Sequence, residues 1–231
     1  MRIAAIVPAR GGSKGIPNKN MTNLLGKPLI DYTIEAAKHS KYIDTILVSS
    51  DSEEILRHAE TLGAKPIKRP ENLASDHAPT GPLITHALLT ERSCGNEYTF
   101  FILLQPTSPL RSSIDIDQAF EKLWNSDANS LISVYEAGST PYKALTTNNS
   151  GFLSGLIDDK APFLRRQDCP PIFFANGAIY IYKPEQFIEG SHFELERTIA
   201  YIMPQERSFD IDTLSDLEQI ERIMKNETSR I

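Results

Sequence analysis

Ile3-Ala4-Ala5-Ile6-Val7-Pro8 runs directly into Ala9-Arg10-Gly11-Gly12-Ser13-Lys14-Gly15-Ile16-Pro17-Asn18-Lys19-Asn20. The first stretch is apolar at nearly every position, which predicts a strand covered on both faces, and the second is a glycine-rich cationic turn leaving its carboxyl end. Working outward, runs rich in Ile and Val predict further strands over Thr45–Ser49, Lys65–Lys68, Thr99–Gln105 and Ser130–Val134. Helix-period segments alternate with them over Leu29–His39, Ser52–Leu62, Pro79–Glu91 and Ile114–Trp124. This alternation is that of an α/β fold with a parallel sheet flanked by helices. Asp51, ahead of Ser52, Glu53 and Glu54, reads as a helix start. Strand character resumes over Ala178–Tyr182 and Ile199–Met203, and Thr213–Lys225 reads as a closing amphipathic helix.

Between about Glu136 and Phe174 the alternation lapses into polar sequence with Gly138, Pro141, a Thr146–Gly151 turn and Pro170-Pro171. Phe152, Leu153, Leu156, Ile157, Phe163 and Leu164 still give this stretch apolar surface. We expect it to leave the main sheet and dock against something, a partner subunit being one candidate.

The composition narrows the function. A chain of 231 residues with 40% hydrophobic and 23% charged residues is that of an ordinary globular protein, one large domain or two small ones. Its apolar runs are too short for a membrane span, and its first residues lack a signal-peptide pattern. Cys94 and Cys169 make neither a disulfide framework nor a metal cluster, so the expected setting is the cytoplasm. With 24 basic against 30 acidic residues, a net charge of −6 disfavours nucleic acid and requires any anionic ligand to be held by a local cationic site.

Two segments carry chemistry. In the turn, glycines allow backbone amides to approach an anion, while Arg10, Lys14 and Lys19 can offset phosphate charge. It reads as a triphosphate cradle or, on composition alone, as a solvated basic turn. The spacing matches neither the P-loop nor the dinucleotide fingerprint. In Ser208-Phe209-Asp210-Ile211-Asp212-Thr213, carboxylates two residues apart face one side of an extended segment and Phe209 and Ile211 the other. Such a pair suits Mg²⁺ completed by water and phosphate oxygens, but Asp212 could instead cap the following helix.

Five ordered stretches resemble the N-acylneuraminate cytidylyltransferases (CMP-sialic acid synthetases) and their relatives that activate legionaminic or pseudaminic acid. They are the Pro8–Asn20 turn, Lys68-Arg69-Pro70-Glu71-Asn72-Leu73-Ala74-Ser75-Asp76, Leu103-Leu104-Gln105-Pro106-Thr107-Ser108-Pro109-Leu110-Arg111, Asn176-Gly177-Ala178-Ile179-Tyr180, and Asp210-Ile211-Asp212-Thr213. The resemblance implies a three-layer Rossmann-like nucleotidyltransferase (GT-A-like) α/β fold, with one domain over residues 1–231 and a dimerisation lobe at about 136–174. It also implies transfer of CMP from CTP to a nine-carbon sugar acid with Mg²⁺ and release of pyrophosphate.

By the same resemblance Arg10 and Lys14 contact phosphates, with Asn20 near the nucleotide and backbone groups around Ala9 defining the pyrimidine pocket. Arg69 and Thr80 fall at nucleotide-contacting positions, although Arg69 could pair with a surface carboxylate. Gln105 and Asn176 face the sugar, Asp210 and Asp212 hold Mg²⁺, and Lys143 and Arg166 reach the sugar acid from the other subunit of a homodimer. One departure bears on the sugar. Many sialic acid enzymes have Arg-Pro-Asn-Gly-Ala where this chain has Phe174-Ala175-Asn176-Gly177-Ala178. An aromatic ring in place of a guanidinium suits a less polar sugar, such as N,N'-diacetyllegionaminic acid, better than N-acetylneuraminic acid. Two other readings remain: a noncatalytic nucleotide-sugar sensor, and an enzyme for the eight-carbon acid Kdo.

Overall fold

A computed structural model describes residues 1–13, 15–75, 78–139 and 141–228. In chain order the strands and α-helices are β1 (Ile3–Pro8), β2 (Asn23–Leu24), β3 (Lys27–Pro28), α1 (Leu29–Lys38), β4 (Thr45–Ser50), α2 (Glu53–Thr61), β5 (Lys65–Lys68), α3 (Thr80–Ser93), β6 (Phe100–Leu103), α4 (Ser113–Trp124), β7 (Ser130–Glu136), β8 (Leu145–Thr147), β9 (Leu153–Gly155), β10 (Phe173–Tyr182), α5 (Pro184–Gly190), β11 (Thr198–Ile202) and α6 (Leu214–Thr228). Seven strands form one sheet in the order β11-β7-β10-β6-β1-β4-β5. Only β10 runs against its neighbours, β6 and β7. The other pairings are parallel.

The period-two geometry of β1 explains the layering. Ile3, Ala5 and Val7 face one way, into a core shared with Ile30 and Ile34 of α1, Ile55 of α2 and Phe120 of α4. Ala4 and Ile6 face the other way, into a core with Leu83, Ile84 and Leu88 of α3 and Phe187 of α5. The result is helices, sheet and helices, with β1 near the middle of the sheet and buried on both faces. No described helix is long and apolar enough to cross a membrane.

The chain leaves the sheet after Glu136 and rejoins it at Phe173. In between, β8 and β9 form a separate two-stranded hairpin. The Asn148 side-chain oxygen accepts from the amides of Ser150 and Phe152, and Gly151 supplies a φ of +80°, so this polar turn is built rather than loose. Phe152, Leu153, Leu156 and Phe163 are exposed on this segment. One expected helix start needs correction. Ser52, not Asp51, caps α2 by accepting from the Ile55 amide, and Asp51 turns toward the glycine-rich turn instead.

Candidate active site

Parallel pairing of β1 with β4 sets Pro8 beside Ser49, which brings the turn after β1 against the residues after β4. There the Gly11 amide donates to Asp51 Oδ1 at 2.8 Å, and a Cβ on Gly11 would meet that of Ser52 at 3.0 Å. The amide of Gly11 therefore holds the turn to the protein instead of facing an anion, a correction to the simplest reading of the glycines. Ala9 is fully buried, with its amide on the Ser49 carbonyl at 2.9 Å. Asn20 fixes the other end by donating to the Arg10 carbonyl at 2.9 Å.

The carboxylate segment meets this turn directly. Lys19 Nζ donates to the Ile211 carbonyl at 2.7 Å and to Asp212 Oδ1 at 3.0 Å. A Cβ placed on Gly15 would lie 2.1 Å from the Asp212 carbonyl oxygen, so only glycine permits the approach. Ile16 and Ile211 are buried in one small core with Leu24, Leu29, Leu110, Leu217 and Ile220. Burying each isoleucine contributes about 1.5–3 kcal/mol, which gives the contact between two distant stretches of chain its driving force.

The helix cap does not use Asp212. Thr213 Oγ1 accepts from the Asp216 amide, and Asp216 Oδ2 accepts from the Thr213 amide at 2.7 Å and the Asp212 amide at 3.0 Å, a reciprocal cap for α6. Asp210 and Asp212 are thus left facing a cleft of about 330 Å³. Burial pushes the Asp210 carboxyl above its ordinary range, and the charge of Asp212 pushes it the same way, against a hydrogen bond with Thr107 and the ammonium of Lys19.

The same cleft is lined by Arg10, Asn20, Arg69, Thr80, Gln105, Asp210 and Asp212. Most of these follow the carboxyl ends of parallel strands, where open α/β sheets collect ligands. Arg69 is nearly inaccessible. Its Nη2 and Nε donate to the Ser49 carbonyl and hydroxyl at 2.6 and 3.2 Å. Burial lowers its pKa; the charge of Asp51 opposes that shift and the nearby Arg10 adds to it. A desolvated guanidinium facing a cleft is suited to an anion.

Gln105 is positioned from two sides. The Arg111 guanidinium, buried and lowered by desolvation to about 10, donates to the carbonyls of Gln105 and Ala178 and to Thr33 Oγ1. Gly177, at φ +76°, sits where a Cβ would come within 2.6 Å of Gln105 Oε1. Gly177→Ala is therefore expected to cost about 1–2 kcal/mol from the left-handed backbone alone. It should lower the thermal midpoint and raise KM for whatever Gln105 contacts; an unchanged melt would show that the backbone relaxes.

Some expected residues lie elsewhere. Asn176 is buried behind the cleft: its Oδ1 accepts from Ser133 Oγ at 2.6 Å and its Nδ2 donates to Ser208 Oγ at 2.9 Å. That side chain, expected to face the sugar, braces the strand bulge and is not among the residues lining the cleft. Ala9 is absent from the cleft wall for the same reason, burial. Lys143 and Arg166 belong to the segment between β7 and β10; Arg166 lines a separate cavity of about 560 Å³ with Glu136, Gly138, Ser139 and Cys169. Lys14 lies outside the described residues. Asp51 was expected only as a helix start, and Thr107 and Arg111 stand within the Leu103–Arg111 stretch with no role read for either.

Among the described residues no group of three or more His, Cys, Asp or Glu is placed to hold a metal ion. The fit to Mg²⁺ rests on the donor set: two carboxylate groups lining one cleft, one of them raised in pKa by desolvation and by its neighbour's charge. A hard cation with waters and phosphate oxygens completing its shell would relieve that repulsion.

These features are those of a Rossmann-like nucleotidyltransferase fold. The structure of CMP:2-keto-3-deoxy-manno-octonic acid synthetase complexed with CTP superposes with a TM-score of 0.70 over 98% of this chain and 100% of that one, at 18% identity, a likeness of fold. The chain belongs to the cytidylyltransferase family, whose profile matches residues 4–230. It is 38% identical to N-acylneuraminate cytidylyltransferase of Escherichia coli, over 94% of this chain but 51% of that protein, so it spans about half the length of that relative. It is 34% identical to pseudaminic acid cytidylyltransferase of Campylobacter jejuni, over 94% of both chains. CMP-N,N'-diacetyllegionaminic acid synthase of Legionella pneumophila is 35% identical over 97% of both.

Proposed function

We propose that this protein is a CTP-dependent cytidylyltransferase that joins CMP to the anomeric hydroxyl of a nine-carbon keto sugar acid and releases pyrophosphate. The observation that carries the reading is the meeting of the cationic turn with Asp210 and Asp212 in one cleft at the carboxyl ends of the parallel strands. The sugar acids named for the relatives support the substrate class.

In this reading Arg10, Lys14 and Lys19 neutralise the triphosphate, and Arg69 and Thr80 frame the nucleotide with the backbone around Ala9. Gln105 orients the sugar acid. The chemical obstacle is bringing one anion to another with attacking and leaving oxygens in line, so positioning and fixed positive charge supply most of the catalysis. Mg²⁺ held by Asp210 and Asp212 would neutralise phosphate oxygens and acidify the attacking hydroxyl. Asp212 also anchors Lys19, which keeps the ammonium at the mouth of the turn. The reaction would take place in the cytoplasm.

A homodimer completes the site in this proposal. Phe163 is 85% exposed and Phe152 71%, more apolar surface than an isolated segment ordinarily leaves in water. A second copy packed there would bring Lys143 and Arg166 toward the neighbouring cleft. Phe163→Asp is expected to weaken the dimer by about 2 kcal/mol or more, roughly 30-fold in dissociation constant. Sedimentation would read the change, with kcat/KM for the sugar acid falling more than that for CTP. An active wild-type preparation that is monomeric throughout would remove the dimer role.

The sugar is proposed to be N,N'-diacetyllegionaminic acid or N-acetylneuraminic acid. Phe174 is half-exposed and its ring lies 5.8 Å from that of Tyr135, an apolar surface that favours the former. The test is pyrophosphate release from CTP and Mg²⁺ with neuraminic, legionaminic and pseudaminic derivatives and Kdo. Release with a nine-carbon acid, and with CTP over ATP, is expected. Tight CTP binding with no release from any acid would favour a sensor.

A further inference from the structure

We infer that the ion pair between buried Asp115 and half-buried Arg207 is a positioning device for the Asp210–Asp212 carboxylate couple, acting from a helix that contributes no residue to the cleft. The inference rests on the proposed role of those carboxylates as cation ligands. Asp115 is the third residue of α4, and it takes hydrogen bonds from the Ser112 amide and hydroxyl at 2.9 and 2.6 Å. Its two oxygens also receive both terminal nitrogens of Arg207, Nη1 at 2.6 Å and Nη2 at 3.0 Å, and Tyr201 donates to Oδ1 at 3.1 Å. Asp115 is 1% exposed. Burial opposes its charge, but the bonds from Arg207 and Ser112 outweigh burial and hold its pKa below the ordinary value.

A two-pronged guanidinium–carboxylate contact fixes orientation as well as distance. Asp115 is desolvated while the Arg207 side chain keeps 29% of its surface exposed, so the cost of burying the carboxylate offsets much of the attraction and leaves the pair a weak source of net stability. Geometry is thus the better account of why a charged pair stands here. Arg207 ends the short turn Gln205–Arg207, and Asp210 follows three residues later. Downstream of Met203, which is tied to β7 through the Val134 carbonyl, the chain is held by Arg207 on α4 and by Ser208 on Asn176. It is caught again at Ile211, whose amide donates to the Thr107 carbonyl at 2.9 Å. Arg207 makes the two-pronged contact among these ties, and releasing it leaves the segment that carries Asp210 on single hydrogen bonds at Ser208, Ile211 and Thr107, free to shift the first carboxylate relative to the second.

The test is a Mn²⁺ titration of the whole chain without nucleotide, followed by electron paramagnetic resonance, for wild type, Arg207→Gln and Ser112→Ala. Arg207→Gln is expected to weaken Mn²⁺ binding about tenfold, the scale seen when an outer partner of a metal ligand is lost. The Mg²⁺ concentration for half-maximal turnover should rise in proportion. Ser112→Ala loosens the cap of α4 but leaves Arg207 seated, so it should lower the melting temperature without changing Mn²⁺ affinity. If Arg207→Gln does not fold, Arg207→Lys carries the test, since it keeps the charge and loses the second prong; its affinity should also fall. Arg207 variants that bind Mn²⁺ as tightly as wild type would overturn the positioning role while leaving the carboxylate site intact. A wild-type protein that binds no Mn²⁺ even when CTP is added would overturn both.

Discussion

Asp212→Ala is expected to lower kcat by about 10²–10³-fold, the range for removing one preorganised source of charge stabilisation at a reaction centre. The melting temperature should move by less than about 2 °C, because exposed substitutions away from caps and cores cost within about 0.5 kcal/mol. Both halves follow from the local structure. The Asp212 side chain is 74% exposed and its ion-pair partner is Lys19, while α6 is capped by Thr213 and Asp216. Pyrophosphate assays and thermal melts read the two effects separately. Turnover within threefold of wild type at saturating Mg²⁺ would remove Asp212 from the machinery.

Gly15→Ala should be nearly as damaging for a different reason. The added methyl would lie 2.1 Å from a backbone carbonyl, that of Asp212, and neither partner is a flexible side-chain end. The turn and the carboxylate segment must separate by the order of an ångström, a misplacement that costs about 10²-fold in rate. Overpacking should also lower stability by about 1–3 kcal/mol. Gly12→Ala is the control for stability, since a methyl there meets nothing within 4 Å and the melt should not change. If Gly15→Ala turns over normally, the contact between the two segments is dispensable.

The parallel framework was legible because its signals are local. The expected strands Ile3–Pro8 and Lys65–Lys68 match β1 and β5, and the helix expected over Ile114–Trp124 starts one residue earlier in α4. Apolar runs bounded by glycine and proline carry that information without reference to the rest of the chain. The early start of β10 was not legible. Phe173 and Phe174 pair with Glu136 and Tyr135, but the register shifts between Ala175 and Tyr180, so no continuous period links the halves. Helix α5 was also missed, although Pro184 stands at its first turn, because seven residues are too few to show a period.

The site divides in the same way. Arg10, Asn20, Arg69, Thr80, Gln105, Asp210 and Asp212 were named from motifs and do line one cleft. What sequence could not separate was lining the cleft from holding its walls. Asn176 precedes a glycine and Asp51 stands among serines, and only strand pairing turns the first onto Ser208 and the second onto Gly11. Arg111 is a cation at the end of a Leu- and Pro-rich stretch, yet burial commits it to carbonyl oxygens. On its local sequence Asp212 read more readily as a helix cap, a task that Thr213 and Asp216 perform.

The central claim is that the cleft joins the α-phosphorus of CTP to a sugar acid. It is tested most directly by following two labels, CTP carrying ³²P at the α-phosphate and CTP carrying it at the γ-phosphate, with Mg²⁺ and the best nonulosonic acid. The α label should appear in the sugar nucleotide and the γ label in pyrophosphate in wild type, with both products forming about 10²–10³-fold more slowly in Asp212→Ala. A γ label on the sugar, or no label in any sugar product from a folded protein that binds CTP, would contradict the account.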